Sequence, residues 1–259
     1  MTLIDIEADT LRNTPAPAVG RAVRVLDFMA KQHSPVTVTQ VADALDLAKS
    51  SVSNLMTTLD ATGMVRRVAR GWVLGYRVLE LGQSALASSD LIAEFRRLVA
   101  KFPTLRRETV LLAVLDDVDV LFVARHNGQQ PIRLATDIGR RLPAVVTALG
   151  KSMLAALPEA EMRSRLDRLP RLPQITDHSL RTRDELLADL DAVSARGYAV
   201  DDQENTIGVT CFGVAVPGLR QSVAVSTTLL SDRVTSRLRA QLINELQQLA
   251  AQLGGVTHD

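Results

Sequence analysis

The sequence predicts an α+β protein in two parts: a winged helix-turn-helix at the N-terminus, then a connecting helix and a larger α+β domain. Three observations predict it. Two short runs of apolar residues at helical spacing are separated by a three-residue break. An arginine-rich hairpin pattern follows them. Beyond residue 90, strand-like runs alternate irregularly with capped helical runs, the signature of helices packed on one sheet.

Residues 1–17 have no apolar period and contain Pro15 and Pro17, which reads as a loose arm. Ala22, Val25, Leu26, Met29 and Ala30 then make a first helix. Thr37 and Gln40 form a capping-box pattern ahead of Val38, Val41, Ala42 and Leu45. After the break at Asp46 to Ala48, Val52, Leu55, Met56 and Leu59 repeat the helical spacing, and Gly63 suits the left-handed end of that helix. Two short helices joined by such a turn form the helix-turn-helix pattern.

The second helix is the candidate reading head. Its polar face carries Lys49, Ser50, Ser51, Ser53, Asn54, Thr57 and Thr58, with no acid before Asp60. Short hydroxyls permit close approach to phosphates, Lys49 sits where the helix N-terminus favours an anion, and Asn54 has the donor–acceptor pair that reads adenine. The run from Met64 to Leu74 reads as a hairpin turning at Arg70-Gly71, with Arg66, Arg67 and Arg70 on and beside it. The whole chain is nearly neutral, at +1 from 30 basic and 29 acidic residues, so this local basic excess is the electrostatic signal for DNA. A helix pair used only for protein contacts is the competing reading.

These residues resemble the N-terminal domain of IclR-family transcriptional regulators. The resemblance rests on Val19-Gly20-Arg21-Ala22-Val23-Arg24-Val25-Leu26, on Thr39 to Ala42, on Leu47 to Val52, on Leu59 to Gly63, and on Leu74-Gly75. The chain departs from the family pattern at Ala48, usually Pro, and at Ser53 and Asn54, commonly His and Arg. The fold expectation is unaffected; an operator sequence is not transferable from a relative.

Gly75 to about Ala87 reads as a linker helix with Tyr76, Leu79 and Leu86 on one side, a stripe with two solutions: a partner subunit or the next domain. Asp90 can cap a helix from Leu91 to Phe102. Strands are predicted at Thr109–Leu115, Val118–Arg125, Ile132–Ala135, Tyr198–Val200, Ile207–Val216 and Ser222–Leu229. Helices are predicted from Thr147 to Leu157, from Pro158, from a second capping box at Thr182 and Glu185 to Gly197, and from Ser231 or Asp232 to about Leu253.

The resemblance continues through Gly139-Arg140-Arg141-Leu142-Pro143, Thr147-Ala148-Leu149-Gly150-Lys151, Leu157-Pro158-Glu159, Gly197 to Asp202, and Gly208 to Cys211. It implies a GAF-like effector-binding domain with an antiparallel-rich sheet and a small-molecule pocket on one sheet face. Carried over, the effector positions are Leu134, Leu142, Ala148, Leu149, Asp201, Val209, Cys211, Ser226 and Thr228. The residues support a pocket independently: Thr147 to Gly150 offers free N–H groups at a helix start, suited to a carboxylate, and Gly150 permits a close approach. Other readings stand beside these. Cys211 reads as an inert buried thiol or a ligand contact, Asp201 as a pocket residue or a solvated turn, and Lys151 as a helix-surface charge.

Hydrophobic residues at 46% and charged residues at 23% describe a soluble globular chain, and aromatics at 3% argue against single-strand stacking platforms. One cysteine excludes an intramolecular disulfide framework, and the acidic start of the chain reads as cytoplasmic rather than secreted. His33, His126, His178 and His258 are scattered, giving no metal spacing and no local base for a nucleophile at Cys211 or Ser226. The expectation is therefore a non-enzymatic regulator with no cofactor and no membrane contact. Its expected partners are double-stranded DNA, a small organic effector bearing a carboxylate, and copies of itself as homodimer or homotetramer. A metabolite-sensing adaptor without DNA binding is the alternative, and an enzyme acting on a small acid is a third. The expected domains are residues 1–17 (arm), 18–75 (winged helix), 76–89 (linker helix) and 90–259 (effector domain).

Overall fold

The computed structural model describes residues 15–87, 90–129 and 137–255. The chain divides into two compact units, residues 1–88 and 89–259.

The first unit contains α1 (Pro17–Ala30), α2 (Val38–Leu45), α3 (Lys49–Ala61), β1 (Val65–Val68), β2 (Gly71–Leu74) and α4 (Tyr76–Ala87). Its core is the set the apolar spacing selects: Val25 and Met29 from α1, Val41 and Ala42 from α2, Val52, Met56 and Leu59 from α3, with Val36 and Val65. The expected capping box forms. Thr37 Oγ1 accepts from the Gln40 N–H at 3.3 Å and Gln40 Oε1 accepts from the Thr37 N–H at 2.8 Å. Asp46 ends α2 in the left-handed region (φ 52), a conformation short acidic side chains tolerate better than most. Arg24 adds a bond to the Leu45 carbonyl at 3.2 Å, so this arginine is spent on closing α2. Gly63 turns the chain with φ 75 into β1, which pairs antiparallel with β2 as the predicted hairpin.

The second unit contains α5 (Asp90–Val99), β3 (Thr109–Asp116), β4 (Asp119–His126), β5 (Arg141–Pro143), α6 (Ala148–Ala156), α7 (Glu159–Leu166), α8 (Arg183–Arg196), β6 (Ala199–Asp202), β7 (Val209–Ala215), β8 (Val223–Leu230) and α9 (Ser236–Gly254). The strands form one antiparallel sheet in the order β5-β4-β3-β8-β7-β6. Strand β8 is buried from Val223 to Leu229, as expected for a central strand covered on both faces. On one face α6 and α8 close a core of Leu111, Ala113, Phe122, Met153, Leu154 and Leu190. On the other lie α5 and α9, the latter burying Leu242, Leu246, Leu249 and Leu253 at helical spacing.

Local chemistry fixes the ends. Thr182 and Glu185 form the second predicted capping box, and Gly197 ends α8 at φ 77. Glu108, almost fully buried, takes both guanidinium nitrogens of Arg233 at 2.7 and 3.0 Å. Glu245 on α9 accepts from the N–H groups of Thr104 and Leu105, tying that helix to the entry of β3.

Three expectations need correction. The last helix is capped by Thr235, whose hydroxyl accepts from the Leu238 N–H at 3.2 Å; Ser231 to Arg233 is a separate 3-10 turn. Pro158 is the N-cap of α7 rather than its first residue. Gly150 does allow the close approach expected of a ligand or backbone, and it is the chain's own backbone that comes close: a Cβ there would lie 2.2 Å from the Ala144 carbonyl oxygen. Lys151 is not on a helix surface; it is 1% exposed. The strand expected at residues 132–135 lies outside the described residues.

Candidate nucleic-acid interface and effector site

Helix α3 buries Val52, Met56 and Leu59 and thereby turns the opposite side outward. Ser50, Ser53, Asn54 and Thr57 are exposed at i, i+3, i+4 and i+7, a single stripe along a helix about 20 Å long. Lys49 is exposed at its first turn and Ser51 is half-buried. Thr57 Oγ1 donates to the Ser53 carbonyl at 2.9 Å, leaving its oxygen to accept, while no bond holds the Asn54 amide among the described residues. The width and bareness of this stripe suit a major groove.

The wing arginines Arg66, Arg67 and Arg70 are all exposed. Arg66 stacks over the Tyr76 ring at 5.1 Å and Arg67 over the Trp72 ring at 5.8 Å. Such stacking holds a guanidinium in place while its edges stay free for phosphate oxygens.

The second candidate site lies on the α6 face of the sheet. Cross-strand pairing places Asp201, Cys211, Thr228 and Thr109 in one row across β6, β7, β8 and β3. The adjacent row on the same face is Ala199, Gly213, Ser226, Leu111 and Arg125. Val209, two residues before Cys211, shares the face. The start of α6 packs directly over this second row, because a Cβ on Gly213 would lie 2.4 Å from the Ala148 carbonyl oxygen. Thr147 caps that helix through the Gly150 N–H at 3.0 Å, so the groups left without an intrahelical acceptor are the Ala148 and Leu149 N–H. Of the expected effector positions, Ala148, Leu149, Asp201, Val209, Cys211, Ser226 and Thr228 are thus gathered on one face. Leu142 pairs with Val120 at the other end of that face and packs into the core. Leu134 lies outside the described residues.

Asp201 is 2% exposed, which rules out the solvated-turn reading. Its Oδ1 accepts from the N–H groups of Glu204 at 2.8 Å and Asn205 at 3.3 Å. Burial and the neighbouring Glu204 charge nevertheless push its pKa up to about 7, and the two N–H groups and Lys151 offset this only in part. Cys211 is half-buried, with its sulfur 3.5 Å from Thr228 Oγ1. Burial and the Asp201 charge raise the thiol well above its usual range, which keeps it protonated and unreactive. No imidazole pairs with it among the described residues; His126 Nε2 bonds the Arg106 carbonyl at 3.0 Å.

Beside this face Lys151 Nζ meets Glu204 Oε1 at 2.5 Å and Asp189 Oδ2 at 2.8 Å. Burial raises the Glu204 pKa, and the Lys151 charge opposes that shift. Sequence reasoning missed this cluster. The available signal was that α6 has no polar stripe: Lys151 and Ser152 are the only polar residues between Ala148 and Ala156, and in the structure every residue from Ala148 to Leu154 is buried. It also missed Arg125, which an irregular strand register turns onto the site face.

A DNA-presenting helix on one compact unit and a polar, ligand-sized row on a second define a regulator that binds DNA and senses a small molecule. The chain belongs to the IclR family of bacterial transcription regulators. The profile described as IclR helix-turn-helix domain matches residues 18–69, and that described as bacterial transcriptional regulator IclR C-terminal matches residues 83–254. The chain is 29% identical over 235 residues to the HTH-type transcriptional regulator XynR of Escherichia coli, covering 90% of this chain and 92% of that one. Its fold matches a transcriptional regulator from Rhodococcus sp. RHA1 with a TM-score of 0.79 at 30% identity, covering 92% of this chain and 96% of that chain. It also matches an IclR homologue from Microbacterium hydrocarbonoxydans solved with 4-hydroxybenzoate, with a TM-score of 0.76 at 21% identity, covering 92% and 97%. The matched relatives are transcriptional regulators, so the chain is a DNA-binding regulator with an effector-binding C-terminal domain and not an enzyme. Among the described residues no helix is long and apolar enough to cross a membrane.

Proposed function

We propose that the chain acts in the cytoplasm as a homodimer or homotetramer that grips a two-fold symmetric operator through α3 and the wing, and that a small carboxylate-bearing effector in the second unit alters that grip. Residues 18–75 form the DNA-binding domain, 76–89 the linker helix and 90–259 the effector domain. The carrying observation is the exposed stripe of Ser50, Ser53, Asn54 and Thr57 backed by a fully apolar opposite face. Asn54 reads a base edge; Lys49, Ser51, Arg66, Arg67 and Arg70 position the backbone. One winged helix makes too few phosphate contacts for tight binding, and pairing supplies affinity and register. Tyr76 and Leu79, 69% and 60% exposed on α4, are apolar surface that pairing would cover.

The test begins with sheared genomic DNA from the source organism, recovered on purified protein and sequenced. A discrete, roughly symmetric site supports the reading, and no enrichment with or without a pool of organic acids sinks it. On that site Lys49→Ala and Arg67→Ala each weaken binding and lower the salt slope by about one. Unchanged affinity in both would remove the proposed contact surface and favour an adaptor. In the second unit, Asp201→Ala and Leu142→Asp impair the response to ligand while DNA binding survives; a normal response in both misplaces the pocket.

A further inference from the structure

The exposed side of α3 carries two adjacent threonines whose hydroxyls are already engaged. Thr57 Oγ1 donates to the Ser53 carbonyl at 2.9 Å, and Thr58 Oγ1 donates to the Asn54 carbonyl at 3.0 Å. Both residues are exposed. Each bond turns a hydroxyl back onto the helix backbone four residues earlier. The other branch of each side chain, the methyl, is then the group left facing outward.

A hydroxyl has one hydrogen to donate. With that hydrogen on a backbone carbonyl, neither threonine has a donor for a phosphate, for thymine O4 or for the N7 and O6 of guanine. What each still presents to a major groove is its methyl, and the apolar feature of the groove edge is the C5-methyl of thymine. Among the exposed residues of α3 between Lys49 and Asp60, Thr57 and Thr58 alone carry a methyl. At 3.6 residues per turn, the line directly opposite the buried Val52, Met56 and Leu59 runs between these two threonines. Their methyls therefore sit at the outermost part of the helix.

We propose that Thr57 and Thr58 read thymine through its methyl and are specificity-determining residues of the operator contact. This rests on the reading of α3 as the DNA-contacting helix and names a base for it. Asn54 lies three and four residues earlier, roughly 4.5–6 Å along the helix axis. A base pair occupies about 3.4 Å of duplex. With the helix laid along the groove, each half-site joins the adenine read by Asn54 to a thymine one or two base pairs away. The back bonds serve the same end. They fix the two rotamers before binding, so less side-chain freedom is lost when the methyls meet the groove.

The experiment uses the full-length protein and the operator recovered from genomic DNA. Thymines of the site are replaced one at a time by uracil, which keeps every hydrogen-bonding group of the base and removes only the methyl. Wild-type protein is expected to lose about fourfold in affinity at one or two thymines of each half-site, the effect of one buried methyl. A chain carrying Thr57→Ser and Thr58→Ser keeps the hydroxyls and their back bonds but no longer distinguishes thymine from uracil. A chain carrying Thr57→Val and Thr58→Val gives up the back bonds, keeps the methyls and still prefers thymine. Both positions are exposed, so the fold tolerates these changes. Uracil without effect anywhere in the site overturns the proposal. An effect that persists undiminished in the serine chain overturns it too, and places the methyl contact on another residue. A preference kept with serine and lost with valine also overturns it, because the threonines would then be read through their oxygens. Lys49→Ala separates these failures from failure of the α3 reading. Weaker binding to both DNAs leaves α3 on the operator with thymine unread, whereas unchanged affinity removes α3 from the contact.

Discussion

Asp201 is a carboxylate in a place that favours its neutral form. Burial is the larger cause and the Glu204 charge the next, and together they raise its pKa from 3.8 to about 7. Between those two values the folded chain holds a proton that the unfolded chain has released. The resulting stabilisation is complete below about pH 3.8 and is lost as pH rises through 7, on the order of 2–4 kcal/mol in all. Asp201→Asn imitates the protonated group and keeps an oxygen for the Glu204 and Asn205 N–H groups. Thermal melts across about pH 5–8 should therefore show a shallower fall for the variant than for the parent. A parallel pair of curves would mean that Asp201 is ionised throughout. On the effector reading proposed above, a neutral Asp201 can donate to an effector oxygen and an ionised one cannot, so affinity for a small acid should weaken above neutral pH.

Helix α6 shows how far local pattern carries an element and where it stops. Its start, its threonine cap and its end were legible, because caps and apolar spacing are local. Local pattern stops at the one charge. The general rule that lysines face water puts Lys151 on the surface, yet the helix is covered by β7 and α8 and has no wet side. The partners Asp189 and Glu204 lie 38 and 53 residues away in sequence, a pairing that no local window contains. Arg125 escaped notice for a related reason: bulges are set by pairing across strands, and period-two reading assigns the wrong face beyond one. Asp201, Cys211, Ser226 and Thr228 were legible because family resemblance supplied them and strand alternation then put them on one side. Lys151→Met tests the buried cluster. Removing the one cation paired with Glu204 among the described residues leaves that acid uncompensated, while Asp189 keeps Arg196 at 3.3 Å; the expected result is a loss of about 3–5 kcal/mol and a lower melting temperature. Adding Glu204→Gln in the same chain should recover part of that loss. A Lys151→Met protein as stable as the parent would show that the cluster contributes no net stability.

At the scale of the whole molecule the two units matter only through the free energy that couples them. A chain with a formal charge of +1 has no global field to draw it to DNA, so affinity must come from the basic groups placed on α3 and the wing. An effector held on the sheet of the second unit can alter that affinity only by binding one state of the regulator better than another. The coupling is then reciprocal: the factor by which the acid changes operator affinity equals the factor by which operator DNA changes affinity for the acid. Factors of roughly 5- to 150-fold are typical. Titrating the acid into protein alone and into the protein–operator complex gives one factor, and operator titrations with and without saturating acid give the other. Asp201→Ala should shrink both together, because it removes a proposed hold on the ligand and not the DNA contacts, whereas Lys49→Ala should weaken operator binding in both titrations and leave the factor unchanged. An unchanged factor in Asp201→Ala would place the regulatory ligand away from this face, and a factor that vanished in Lys49→Ala would make α3 part of the coupling rather than only its readout.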